Sequence, residues 1–363
     1  MRHLLSILFF LPLLAVGQLL PNQMDDGVSK RILIAHPTVT NINVLQVLQA
    51  KGLLDLKSVE VVGVYHKDEK YNYAKSKAIV DTLQSIKMRL VELKDDLSQE
   101  VLFKKNDCSD EFEELFTKSC AAFFFGGPDI PPAIYKEEPH QRTVVTDTYR
   151  HYFEASFLFH LLGGFQNSKF QPLLDRKKNY LINGFCLGMQ TMNVATGGTL
   201  IQDIPSEVYG GEETEGLFQL EAEQIHRNFY VHLEEKHDDL SGSCVHQISF
   251  IGDYVSTFFD WSKEQFPHVN SYHHQAIERL GKNLIVWATS LDHRIVEAIY
   301  HQHYPNVFAV QFHPERIDLY STDRKYKFDP NGESQTLSDW IGKKGMRFHQ
   351  AYWTRIKNIL NDL

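Results

Sequence analysis

Cys186 stands in Gly184-Phe185-Cys186-Leu187-Gly188, where an apolar run gives way to residues of helical spacing. A strand entering a helix through G-x-C-x-G is a nucleophile elbow with cysteine in place of serine, its glycines permitting a tight turn and close backbone approach. The thiol then sits at the N-terminus of the helix expected over Leu187–Ala195, whose dipole favours thiolate. The Leu187 N–H is left facing the oxygen of an attacked carbonyl. Alone, the motif fits a structural cysteine equally well. His313-Pro314-Glu315 follows the strand expected over Val307–Phe312. A thiol nucleophile needs an imidazole to take its proton and return it to a leaving amine. The imidazole needs a carboxylate to fix its tautomer and orientation. Cys186, His313 and Glu315 thus form a candidate triad. Gly126-Gly127-Pro128-Asp129 also follows an apolar strand, and its glycines can supply the second donor of an oxyanion hole. The same residues would make an ordinary turn.

Three motifs at strand ends require a sheet that brings those ends together. Arg31–His36, Val59–Tyr65, Arg89–Leu93 and Ala121–Phe125 read as strands, separated by helical stretches at Asn43–Lys51, Ala78–Lys87 and Phe112–Lys118. Apolar strands alternating with helices predict an α/β fold with a mostly parallel, doubly wound sheet and helices on both faces. Such sheets place their sites at the carboxyl ends of the strands. Farther on, Thr143–Leu162 reads as a core-facing helix, and Tyr180–Ile182, Cys244–Ile251, Leu284–Thr289 and Ile295–Tyr300 as strands. From Leu337, aromatic and aliphatic residues at near-helical spacing predict one or two packing helices. The charged, Tyr-rich Lys67–Lys77 reads as a solvated loop or helix face. Gly163-Gly164 and Gly210-Gly211 read as turns.

The 363 residues carry a net charge of −9, and no basic stripe exists to replace the counterions of a nucleic acid. Residues 1–17 combine Arg2, an apolar run from Leu4 to Val16 and small residues at Ala15 and Gly17. This predicts a signal peptide cleaved before Gln18, a flexible leader over 18–29, and an exported, periplasmic or secreted protein with no stable membrane insertion. Cys108, Cys120, Cys186 and Cys244 show no zinc spacing, and Cys108 and Cys120 could pair only if geometry allows. The 18 histidines come without convergent carboxylate or cysteine spacing, so no metal and no cofactor are expected. His301 and His303 read as solvated.

The three motifs, in order, resemble the class I glutamine amidotransferase family, and within it most closely the γ-glutamyl-γ-aminobutyrate hydrolase branch. The likeness extends to Gly197–Asp203, Val269–Gln275 and Val310–Glu315, and is good from Ala121 to Glu315. It implies a single flavodoxin-like domain over 30–363 with a C-terminal helical extension. It further implies hydrolysis of a small γ-glutamyl amide through a thioester on Cys186. Gly127 and Leu187 would give the oxyanion N–H groups; Gly126, Gln190, Ser271, Tyr272 and His273 would line the substrate pocket. Leu187 departs from the arginine common in that branch, and Glu212–Leu240 is a long acidic, His-containing insertion. Two other functions fit the same residues: a glutaminase subunit feeding ammonia to a synthase, and a non-catalytic binding protein. The intact triad argues against the second. Oligomeric state is not readable.

Overall fold

The computed structural model describes residues 30–211, 216, 219–232 and 239–363. The expected signal peptide and leader, and much of the 212–240 insertion, lie outside them. Ten strands form the main sheet: β1 (Arg31–Ala35), β2 (Glu60–His66), β3 (Lys87–Leu93), β4 (Ala121–Phe124), β5 (Leu181–Phe185), β6 (Cys244–Phe250), β7 (His268–Ser271), β8 (Leu284–Ser290), β9 (Val296–His301) and β10 (Val307–Val310). Their spatial order is β3-β2-β1-β4-β5-β10-β9-β8-β6-β7. The first six are mutually parallel, and β10 to β7 continue as antiparallel neighbours. The winding reverses between β1 and β4, giving the doubly wound sheet the motifs pointed to.

Alternation along each parallel strand feeds two apolar layers. On one side Leu33, Ala122, Ile182 and Ala309 pack against α3 (Ser109–Thr117), α4 (Thr148–Leu162) and α5 (Leu187–Ala195) through Phe112, Phe157 and Met189. On the other, Ile32, Phe123, Phe185 and Phe308 meet α1 (Val39–Ala50) and the C-terminal helix Leu337–Asp362 through Leu45, Tyr352 and Ile356. That last helix breaks at Gly342, at φ 69° and ψ 169°, so the expected one or two helices are two end to end. No helix among the described residues is long and apolar enough to cross a membrane.

Gly163 and Gly210 each terminate a helix at positive φ, as turns should. The helix expected over Ala78–Lys87 runs over Ala74–Thr82, with Lys87 opening β3, and three further details differ from the expectation. The first is β7, which goes unread because its residues, His268–Ser271, are mostly polar. The second is the segment 67–77, which is not wholly solvated. Glu69 and Tyr73 are buried, and both reach the Nδ1 of His36, at 2.6 and 2.7 Å. The third is His301, which is buried and stacks on Tyr304 at 4.5 Å between ring centroids; His303 is exposed as expected. All four cysteines are free, so Cys108 and Cys120 form no bridge.

Candidate active site

The elbow forms as its glycines require. β5 ends at Phe185, α5 begins at Leu187, and Cys186 between them is held at φ 51° and ψ −105°. A non-glycine residue at positive φ is strained and is kept only by its surroundings. Here the Cys186 N–H donates to the Val310 carbonyl at 2.8 Å, fixing the elbow to β10. A Cβ on Gly188 would lie 2.2 Å from the Phe124 carbonyl oxygen, and one on Gly184 2.6 Å from the Gly188 backbone. Both glycines are therefore needed for close approach. Gly188→Ala should destabilise the fold by about 1–3 kcal/mol, since the clash is with backbone and not with a yielding side chain. Urea titration of the variant beside the wild type measures this, and an unchanged midpoint would contradict it.

The base arrives from β10. His313 Nδ1 lies 2.7 Å from Glu315 Oε1 across the intervening Pro314, and the His313 N–H donates to Asn270 O at 2.9 Å. The opposite ring nitrogen, Nε2, has no hydrogen-bond partner among the described residues and lies within electrostatic reach of the Cys186 sulfur. Burial works to discharge the ring, but the Glu315 carboxylate and the Cys186 sulfur outweigh it and raise His313 to about 10. At neutral pH the ring is thus an imidazolium, the state in which it can protonate a leaving amine.

The turn carrying His313 and Glu315 is gripped from outside the sheet. The Pro314 carbonyl accepts from Trp353 Nε1 at 3.1 Å and Tyr320 Oη at 2.6 Å, and Trp353 is buried on the C-terminal helix. Trp353→Phe removes one donor and keeps most of the packing. It should lower kcat about tenfold through looser placement of His313, with the circular-dichroism spectrum retained. Full turnover would show that the grip does not matter.

Gly126-Gly127 lies over both reacting groups. A Cβ on Gly126 would meet His313 Cε1 at 2.8 Å and Cys186 Cβ at 3.6 Å; one on Gly127 would sit 3.0 Å from Leu187 Cδ2. The expected oxyanion partners, Gly127 and Leu187, therefore share one wall with the nucleophile. What supports this loop was not visible in the sequence. Arg150, buried in an aromatic helix, donates from Nη2 to the carbonyls of Phe125 and Gly126 at 3.0 and 3.1 Å, and from Nε to Glu154 at 2.9 Å. It is a positioning residue, and a lone arginine four residues before a glutamate gave no signal beyond a helix-face pair.

Asp129 fastens the far end of the loop. Its carboxylate accepts from the Val144 N–H at 2.7 Å and meets His274 Nε2 at 3.1 Å, while His274 Nδ1 reaches Asp203 at 3.3 Å. Burial opposes protonation of His274, but the two carboxylates raise it to about 9.

The residues expected to line the substrate pocket divide. Gln190 is buried, with its amide nitrogen committed to Gln275 O at 3.1 Å and Gln311 Oε1 at 3.2 Å, so it braces the pocket with that end. Ser271 and His273 are buried and bonded within a polar cluster. Ser271 Oγ bonds His246 at 2.7 Å, and His273 Nδ1 bonds Gln275 O at 2.9 Å. Tyr272 between them faces outward, 41% exposed, with the Arg227 guanidinium 5.1 Å over its ring. Of these three only Tyr272, with Arg227, is left for a ligand; a strand-like alternation sends its neighbours inward.

Residues 61–315, which contain every motif of the site, match the model of the family described as Peptidase C26. The chain is similar to protein NtpR of Enterococcus hirae, 30% identical over 191 residues, 52% of this chain and 64% of that protein, just under two thirds. It is also similar to the glutamine amidotransferase-like protein YvdE of Lactococcus lactis, 28% identical over 225 residues, 62% and 78% of the two chains. A solved glutamine amidotransferase of Thermotoga maritima aligns over 91% of this chain and 98% of its own at 10% identity, with a TM-score of 0.41.

Proposed function

This chain belongs to the peptidase C26 family, and on that premise we propose that it hydrolyses γ-glutamyl amides through a thioester on Cys186. The observation that carries the reading is the line Cys186, His313, Glu315, with the imidazole between sulfur and carboxylate and charged at neutral pH. The Cys186 sulfur attacks the γ-carbonyl carbon, and the developing oxyanion is met by the Leu187 and Gly127 N–H groups. His313 gives its proton to the departing amine as the C–N bond breaks. Water, deprotonated by the same ring, then cleaves the thioester and releases glutamate. Glu315 holds the ring throughout and does not react. At the rim, Arg227 stacked on Tyr272 offers a cation for the glutamyl carboxylate.

Amine release from a panel of γ-glutamyl amines, γ-glutamyl peptides, glutamine and α-glutamyl controls tests the reading. Cys186-dependent release confined to the γ-linked compounds supports it. Equal cleavage of α-linked controls, or none of the γ-linked set, sinks it. Glutamine belongs in the panel because YvdE, a relative, is named glutamine amidotransferase-like. Strong preference for glutamine would favour a glutaminase subunit instead. We place the activity outside the cytoplasm on the strength of residues 1–17 alone.

A further inference from the structure

His226, His246, His273 and Glu297 meet in the interior although they come from four separate stretches of chain. His226 lies in the described part of the insertion, His246 on β6, His273 just beyond β7 and Glu297 on β9. All four are at most 4% exposed. The Oε1 of Glu297 lies 3.1 Å from His226 Nδ1, 3.6 Å from His246 Nε2 and 3.7 Å from His273 Nε2.

Hydrogen bonding fixes what these atoms can offer one another. His246 Nδ1 and His273 Nδ1 each contact a backbone carbonyl, of Gln247 at 3.1 Å and Gln275 at 2.9 Å. A carbonyl only accepts, so both Nδ1 atoms carry the hydrogen, and in a neutral ring each Nε2 presents a lone pair to the carboxylate. Neither oxygen of Glu297 accepts a hydrogen bond from any described residue, neither nitrogen of His226 makes one, and His273 Nε2 makes none. Lone pairs facing lone pairs in a site this dry are costly unless something positive joins them.

We infer that this cluster binds one divalent d-block cation, zinc in the first instance, through His226 Nδ1, His246 Nε2, His273 Nε2 and a Glu297 oxygen. A tetrahedral zinc with ligands at 2.0–2.1 Å has ligand-to-ligand edges of about 3.3 Å, and the three separations from Glu297 bracket that length. Ring N–H groups pinned by backbone carbonyls are the usual outer support of a metal-bound histidine. The Ser271 hydroxyl, 2.7 Å from His246 Nε2, gives up that contact when the cation arrives. Four protein ligands close the site, which makes it structural and not catalytic. It lies behind the catalytic turn: Gln311 N–H donates to Glu297 O, His313 N–H to Asn270 O, and His273 N–H to His226 O. A cation here clamps the wall from which His313 projects and anchors the described part of the insertion. The inference stands whether or not the γ-glutamyl reading holds.

The test uses the full-length Cys186→Ala protein, so that the elbow thiol cannot take the metal. After treatment with a chelator and its removal, calorimetric titration with zinc chloride should give one saturable equivalent and raise Tm by about 3 °C or more. His226→Gln in the same background should weaken binding at least tenfold. Glu297→Gln should abolish it. Because these variants alter a buried cluster, cobalt(II) added to the parent protein provides a second measurement, expected to show the intense visible absorption of a four-coordinate, nitrogen-rich site. No saturable equivalent, undiminished binding in both variants, or a weak octahedral cobalt spectrum would each overturn the assignment.

Discussion

Cys186→Ala is expected to remove turnover, by at least about 10⁴-fold, as deletion of a nucleophile does in other triads. In the proposed reaction the sulfur forms the bond that every later step depends on, and Cys120, just ahead of β4, sits at the opposite end of the strands from the elbow. Cys108 and Cys244 are buried, with burial raising both thiols, Cys244 well above the usual range. Alanine keeps the backbone amides of Leu187 and Gly127, so any residual rate measures binding and oxyanion stabilisation without covalent chemistry. The fold should change by no more than about 1 kcal/mol, because one sulfur is lost from a position held by its backbone bond to Val310. Steady-state amine release beside a urea titration separates the two effects. Turnover near wild type in a correctly folded variant would remove Cys186 from the mechanism.

The second large effect lies at His313. His313→Asn should cost nearly as much as loss of the cysteine, since groups that act as a unit fail together. Glu315→Gln should cost less than loss of the ring, about 10⁴-fold, because the carboxylate orients and charges the ring but forms no bond to substrate. The pH dependence follows from the raised value near 10. An imidazolium is needed to protonate the amine, so kcat/KM, which reports the free enzyme, should hold across neutral pH and fall as pH rises toward 10. Stability carries the same sign. A folded value above the unfolded one of roughly 6.5 means the ion pair's contribution is complete below about pH 6.5 and is lost as pH rises through about 10. Glu315→Gln should move the alkaline limb of the rate profile to lower pH. An unmoved limb would assign that titration to another group.

The parallel half of the sheet and the two motifs carrying Cys186, His313 and Glu315 were legible in the sequence for one physical reason: each is local. Apolar runs such as Ala121–Phe125 declare buried strands, and G-x-C-x-G declares a turn that only glycine can flank closely, as the Gly188–Phe124 contact shows. Residues acting across the fold were not legible. Arg150 supports the Gly126-Gly127 loop from a helix whose aromatic spacing speaks only of core packing. The His226, His246, His273 and Glu297 cluster has no spacing of its own, because its members are joined by the antiparallel return of β6 to β9 and not by a short motif. Ser271 and His273 were assigned to the substrate pocket on the family resemblance of a local run, which carried no sign of the buried partners, His246 and Glu297, that the fold brings to them.

The grip of Trp353 on Pro314 has a consequence for the order in which this molecule becomes reactive. A polypeptide leaving the ribosome exposes Cys186 first, His313 much later, and the helix that seats the imidazole only after that. The nascent chain therefore carries an untriggered thiol through the second half of its synthesis and gains its full reactivity with one of its last segments. A protease that nicks the 337–362 stretch would return the mature molecule to that dormant condition without touching a single reacting atom.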